Sequence, residues 1–454
     1  MKLDEYKKIL ALTFPLIITQ GGQVLTGIVD NIMIGNYSTI DLAASAFANS
    51  VFSNFLVISI GFAYGITPLV GNALGKKDFE SINNILSNGL IINIIFSALI
   101  TILLFASSNY LKYLQQEPQV VARAIPYYHL LATSLIPLAI FYTLKQFTEG
   151  TSRTKPGMLF TLIGNVINIL LNYIMIFGKL GFPPLGLVGA GWATLLARIC
   201  MAIGMTVYVF KKQNFQKLLQ EFSILHVNLS ICKKILNISI PIAIQFCLEV
   251  TAFNAGTIVV GWLGTVSLAA HQIAMSLVSL LFMTASGFSQ AATIRISNLI
   301  GEQNISTAKQ VFQTCSHLVL FYMTVVVLIT FWTAPSIASW HTSDKEVIKI
   351  ATELIVIACC FEIFDGLQVV FIGALRGIGD VKTPFWVALL AYWIVALPIG
   401  YAISFQLHAG ATGIWIGFLI GLVLAAILLL VRFKRKISIL ERMQQKSLKK
   451  EEIY

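Results

Sequence analysis

Apolar stretches of about 20 residues recur along the whole chain, separated by short segments in which charged and turn-forming residues gather. Each stretch is long enough to cross a hydrocarbon core of about 30 Å at about 1.5 Å of rise per residue, so each reads as a membrane-spanning helix. The pattern predicts twelve: Leu10 to Ile34, Ala44 to Val70, Ile85 to Ala106, Ile125 to Phe147, Met158 to Phe177, Gly186 to Phe210, Ile235 to Val260, Leu268 to Ala292, Val311 to Trp332, Ile348 to Gly373, Phe385 to Phe405 and Gly410 to Val431. The expected fold class is an all-α polytopic membrane protein.

The pattern also repeats. With Pro15 laid on Pro241, the stretch ending at Gly75 matches the stretch ending at Gly301 without a gap. The shared positions include Gly35 and Gly261, Leu42-Ala43-Ala44 and Leu268-Ala269-Ala270, Gly61-Phe62 and Gly287-Phe288, and Asn72 and Asn298. Six spans fall in each half, so the halves run in the same direction and are related by a parallel pseudo-two-fold axis along the membrane normal. Internal repeats of this size in an apolar chain are the architecture of secondary transporters, whose sites lie near the midplane between two halves. The natural boundary is the polar and basic connector Lys211 to Lys234. An N-lobe is therefore expected over residues 1–215 and a C-lobe with a basic tail over 216–454.

Composition agrees with the spans. Hydrophobic residues make up 57% of the chain and charged residues 11%, with a mean hydropathy of +0.82, against roughly 25% charged in soluble domains. The net charge of +11 is unevenly placed. With both termini inside, the inner segments hold Lys7, Lys8, Lys76, Lys77, Arg153, Lys155, the connector lysines, Arg295, Lys309, Arg376, Lys382 and the tail from Arg432 to Lys450; the outer ones hold only Lys112, Arg123, Lys179, Lys345 and Lys349. The positive-inside rule then places both termini in the cytoplasm, and the tail Arg432-Phe433-Lys434-Arg435-Lys436 reads as a headgroup anchor rather than a nucleic-acid site. The expected partner is the lipid bilayer, without nucleic acid, and a monomer is expected.

Several chemistries are excluded by what is missing. The six cysteines lack zinc-type spacing. No Gly-x-x-x-x-Gly-Lys-Ser/Thr loop exists for ATP, and no His-Glu-x-x-His or Gly-x-Ser-x-Gly string exists for a membrane-embedded enzyme. No catalytic residue and no cofactor are expected. Work against a gradient must then draw on an ion gradient.

Ionisable side chains inside a span cost about 2.5–3.5 kcal/mol each on insertion scales, so each invites a functional reading. Asp30 lies on the first span, Glu249 on the seventh, Glu362 and Asp365 on the tenth and Arg198 on the sixth; Lys145 and Glu149, four apart on the fourth, are expected to pair at the interface. Glu249 and Asp365 could converge on a dehydrated Na⁺, a hard ion that takes oxygen ligands, or share a proton; Glu362, three residues before Asp365, is a possible third acid. Arg198 either neutralises a buried acid or reaches a polar cavity. Pro15 and Pro241 sit at equivalent places and each removes a backbone donor, which bends a helix. Gly150 with Arg153 and Gly377 with Gly379 read as paired hinges at the inner side.

Together these residues resemble a known family. Phe14-Pro15-Leu16, Val29-Asp30-Asn31-Ile32-Met33-Ile34-Gly35, Leu248-Glu249-Val250, Ala269-Ala270-His271-Gln272, Phe364-Asp365-Gly366-Leu367-Gln368-Val369-Val370 and Leu375-Arg376-Gly377-Ile378-Gly379-Asp380 look like the signature stretches of the multidrug and toxic compound extrusion (MATE) family, most like its NorM branch. The resemblance covers nearly the whole chain. It implies a twelve-helix, V-shaped antiporter that exports small organic cations in exchange for Na⁺ or H⁺ by alternating access. Glu249 and Asp365 match the family's C-lobe cation-binding acids, with Na⁺ the possible metal, and Asp30 matches its N-lobe acid. Gly164-Asn165-Val166-Ile167-Asn168-Ile169-Leu170-Leu171-Asn172 resembles the fifth-helix motif, which makes Asn168 and Asn172 partners of Asp30 in a substrate or proton site. Some members place an acid where Asn172 stands, so the resemblance shifts ion coupling toward the C-lobe. Phe361 stands where relatives can carry a tyrosine ligand. A flippase of lipid-linked substrates is the nearest alternative, and it would be expected to line its cavity with Arg and Lys.

Overall fold

The computed structural model describes residues 2–216, 218–219, 222–223 and 227–451; positions 217, 220–221 and 224–226 of the expected connector lie outside the described residues. Twelve helical spans long and apolar enough to cross a membrane follow one another. They are α1 (Asp4–Tyr37), α2 (Thr39–Gly75), α3 (Phe79–Leu114), α4 (Pro118–Gly150), α5 (Lys155–Phe177), α6 (Gly186–Lys211), α7 (Leu229–Gly261), α8 (Thr265–Gly301), α9 (Ile305–His341), α10 (Lys345–Gly377), α11 (Lys382–Gln406) and α12 (Ala411–Gln445). Among the described residues there is no strand. Each of the first eleven expected spans falls inside one of these, and the twelfth begins one residue early. The helices overrun the apolar runs because polar caps continue them at both ends.

Those caps repeat as the sequence does. Asp78 closes the first turn of α3 by accepting from the Ser81 N–H at 2.9 Å, and its counterpart Asn304 does the same for α9 through the Thr307 N–H at 3.1 Å. Before each cap stands a residue with left-handed backbone, Lys77 at φ 59° and Gln303 at φ 57°. The same backbone recurs at Ser152 (φ 62°) and Gly379 (φ 79°) after α4 and α10, and at Leu180 (φ 57°) and His408 (φ 54°) after α5 and α11. The pseudo-symmetry thus extends well past the stretch in which side-chain identity reveals it.

Gly150 and Gly377 are equivalent in packing. A Cβ on Gly150 would lie 3.0 Å from the Thr67 carbonyl oxygen, and one on Gly377 would lie 3.2 Å from that of Thr293. Thr67 Oγ1 donates to the Gln146 carbonyl at 3.2 Å, and Thr293 Oγ1 to the Gly373 carbonyl at 2.8 Å. These glycines bring helices into close contact, which is the packing use of small residues in membranes.

The halves differ in their irregularities. α2 breaks at Tyr64-Gly65, whereas its counterpart α8 is continuous. A side chain at Gly65 would meet the backbone of Ser239 on α7 at 3.0 Å, so the break lies where two helices cross with no room for a Cβ. In α11, π-helical turns at Leu389–Ala396 and Ala402–Gln406 flank Pro398. The proline ring clashes with the carbonyl four residues back, and a wider turn relieves it.

The chain divides into two compact units, Ile18–Ala243 and the combination of Met1–Ile17 with Ile244–Tyr454. The first, here the N-unit, is built on a core that includes Phe52, Phe62, Tyr128, Phe141 and Phe147. The second, the C-unit, has one core around Phe288, Phe312 and Phe433 and another around Phe361, Trp415 and Phe418. The division differs from the expected boundary at 215/216. Ile9 and Leu16 of α1 pack in the C-unit core, and Glu5 pairs with Arg295 there at 3.1 Å. Ile235 of α7 packs in the N-unit core, and the Asn228 N–H donates to Asn88 Oδ1 at 2.9 Å. Each crossing falls two residues beyond a proline, Pro15 in α1 and Pro241 in α7, so the divisions are themselves repeat-equivalent.

The helix of α12 runs on to Glu451. Its basic stretch pairs within the protein: Arg432 Nε donates to Asp380 Oδ2 at 2.7 Å, Lys436 lies 4.0 Å from the same oxygen, and Glu441 pairs with Lys309 at 3.1 Å.

Candidate functional site

In the N-unit a chain of amides leads to the acid of α1. Asn168 and Asn172 share a face of α5 because they are four apart. Asn172 Nδ2 donates to Asp30 Oδ1 at 2.6 Å and to Asn168 Oδ1 at 3.3 Å, and Asn168 Nδ2 donates to Thr194 Oγ1 on α6 at 3.4 Å. Arg198, one turn further along α6, donates to Ser134 Oγ at 2.6 Å. Its charge acts on Asp30, Tyr127 and Tyr142 without forming an ion pair. Gln23 Nε2 donates to the Tyr142 hydroxyl at 2.8 Å, and Asn49 Nδ2 to the Tyr127 hydroxyl at 3.4 Å.

In the C-unit a second chain ends on Glu249. Arg376 donates to Gln245 Oε1 at 3.1 Å, and Gln245 Nε2 donates to Glu249 Oε1 at 2.9 Å. The amide thereby relays part of a guanidinium charge to a carboxylate that is only 8% exposed. Asp365, also buried, faces Glu249 closely enough for their charges to act on each other, as do Glu362 and Asp365. Gln368 donates to the Tyr392 hydroxyl beside this pair. Among the described residues, no three His, Cys, Asp or Glu side chains converge as a metal site. Glu362 is fully buried, and neither of its oxygens has a hydrogen-bond partner.

Burying a charge is tolerable when it is paired or hydrogen-bonded. By that measure the acids fall into two kinds. Asp30 and Glu249 each accept from an amide, which stabilises an anion without cancelling its charge and leaves it able to attract a cation. Lys145 and Glu149 form a closed pair at 3.4 Å, each about 1% exposed; the expected place at the interface is corrected to the core of the N-unit. Gly157 of α5 makes room for that pair, since a Cβ there would lie 2.9 Å from Lys145 Cγ.

Gln245, Arg376, Gln368, Tyr392, Tyr127, Tyr142, Gln23 and Asn49 belong to these networks and were not singled out as site residues by the sequence. The spacing of four between Gln245 and Glu249 was the available signal. Arg376 lies beyond the tenth span expected to end at Gly373, but α10 continues through Gly377 and carries it in the last turn. His271 is occupied structurally: the Trp415 indole N–H donates to its Nδ1 at 3.0 Å, so its Nε2 carries the proton and faces Thr257 Oγ1 at 2.9 Å. The six cysteines are free.

Comparison with known proteins agrees with this architecture. The chain is similar to the multidrug resistance protein MdtK of Yersinia pseudotuberculosis, with 32% identity over 435 residues and 95% of each chain covered. It is likewise similar to NorM of Pasteurella multocida, with 34% identity over 439 residues, 95% of this chain and 94% of that protein. Its fold is that of a MATE crystal structure in the bent conformation, at a TM-score of 0.89, 21% identity and 97% coverage of each chain. The eukaryotic MATE transporter AtDTX14 superposes at 0.86, with 21% identity and 98% and 99% of the two chains covered. The MatE family model matches residues 15–174 and again 241–402, each match opening on one of the two prolines. The chain therefore belongs to the MatE family, a family of multi-pass membrane transporters and not of enzymes.

Proposed function

We propose that this chain exports amphipathic organic cations across a bacterial inner membrane, with both termini cytoplasmic, in exchange for Na⁺ or H⁺ bound in the C-unit. The observation that carries the reading is the Arg376–Gln245–Glu249 chain ending beside Asp365. Two acids close enough to repel one another in low dielectric gain most from a small cation between them. Both offer oxygen, the donor that Na⁺ prefers, and either can take H⁺ instead. The names of the relatives MdtK and NorM support multidrug compounds as the exported class.

The acids make exchange possible by competition. Neutralising Glu249 and Asp365 with an ion removes the repulsion that holds the site open to an organic cation, and a bound drug cation removes the attraction for the ion. Each ligand then shifts the balance of conformations only by its difference in affinity between them, and the two exclude one another. Asp30, held by the neutral amide of Asn172, keeps its charge for the substrate.

Inverted vesicles loaded by expression of this chain provide the test. Imposing a Na⁺ gradient and a pH gradient separately should drive uptake of a cationic dye with one of them and not in its absence. Dye movement indifferent to both gradients would overturn the coupling.

A further inference from the structure

Arg198 is half-buried in α6 and carries five N–H donors, of which one is used, on Ser134. Its guanidinium carbon lies 5.8 Å from the centroid of the Phe52 ring, a contact that uses none of its N–H donors in a hydrogen bond. Among the described residues no carboxylate stands within ion-pairing distance, whereas two other cations on spans of the same unit are matched, Lys145 by Glu149 and Arg123 by Asp41. The repeat does not require the residue either, since α12, the sixth span of the second half, has no basic residue before Arg432. An unmatched guanidinium inside a span is costly, and such groups line substrate paths. Hydrogen bonds tie its part of α6 to the acid of α1: Thr194, one turn before Arg198, accepts from Asn168, which accepts from Asn172, which also donates to Asp30.

We propose that Arg198 receives the carboxylate of amphipathic zwitterions whose cationic end is held by Asp30, so that the N-unit sorts substrates by carrying one fixed charge of each sign. The planar fork of the guanidinium matches a carboxylate with two parallel hydrogen bonds. A zwitterion bound at both ends brings no net charge into the unit, while a simple cation leaves Arg198 unused. The inference rests on the exporter reading and narrows its substrate class.

The test uses the purified full-length protein in lipid nanodiscs and two probes that differ at one group, a rhodamine with a free carboxylate and its methyl ester. Binding is followed by fluorescence anisotropy. Arg198→Met keeps the apolar stem and removes the charged fork; it should weaken the free acid about tenfold or more, the scale of one hydrogen bond to a charged group, and leave the ester within about twofold. Arg198→Lys keeps the charge without the fork and should fall between, which also decides the matter if the methionine variant does not fold. Equal loss for both probes in either variant, or loss for neither, would overturn the role of Arg198. Wild-type protein that binds the ester alone overturns it too while leaving the exporter reading intact; wild-type protein that binds neither contradicts the exporter reading itself.

Discussion

Asn172 donates a hydrogen bond of 2.6 Å to Asp30, tying α5 to α1 within the N-unit. An asparagine in this place can stabilise the anion but adds no second charge, so Asp30 stands with a neutral partner where the C-unit holds Glu249 with Asp365. Asp30→Asn should therefore impair drug export while leaving Na⁺ binding to the purified protein nearly unchanged, as isothermal titration can show. Equal loss of Na⁺ binding in Asp30→Asn and Asp365→Asn would contradict this division of labour.

Glu249→Gln and Asp365→Asn preserve shape and remove charge. Truncating one partner of a buried charged contact costs about 2–5 kcal/mol of binding, enough to bring ion-driven efflux to background in vesicles. Size-exclusion profiles should remain those of the wild type. Undiminished efflux in both variants would place the coupling ion elsewhere.

Lys145 and Glu149 separate structure from transport. Removing one member, as in Lys145→Ala, leaves a buried charge unmatched and should destabilise the protein by about 3–5 kcal/mol. The double replacement Lys145→Met with Glu149→Gln should recover most of that loss in thermal unfolding monitored in detergent. A double variant no more stable than the single one would mean that the pair is more than a mutual neutralisation.

Orientation can be read from thiol chemistry. A single cysteine at position 446, in a background without the native thiols because Cys200 and Cys360 are exposed, should resist a membrane-impermeant maleimide in intact cells and react after the cells are opened. Labelling from outside would invert the topology.

The twelve spans were legible because a hydrocarbon core sets a minimum length for an apolar run, and the acids were legible because few charges survive in such runs. The break at Tyr64-Gly65 was legible only in part: Pro68 stands four residues after Tyr64, where the continuous α8 has Ile294, but the crossing with the backbone of Ser239 lies far away in sequence. Gln245 was hidden as an ordinary amide on a helix, although it is what joins Arg376 to Glu249. The unit boundary was hidden more deeply. Composition locates the polar connector, but the units part inside α1 and α7, where nothing polar interrupts the run and only contacts such as Glu5 with Arg295 reveal which side each segment serves.

That partition bears on how the protein is made. Residues up to Ile17 leave the ribosome first, yet the surface they complete includes Arg295 and Gly287 of α8, made only after the whole N-unit. Domains ordinarily fold in the order of synthesis, but here the earliest segment must wait for the latest half. The opening of α7 has no such delay, because its N-unit partners already exist when it emerges. Loss of the first segment should thus leave the early-made unit able to form and the late-made one incomplete, a polarity that a symmetric repeat by itself would not produce.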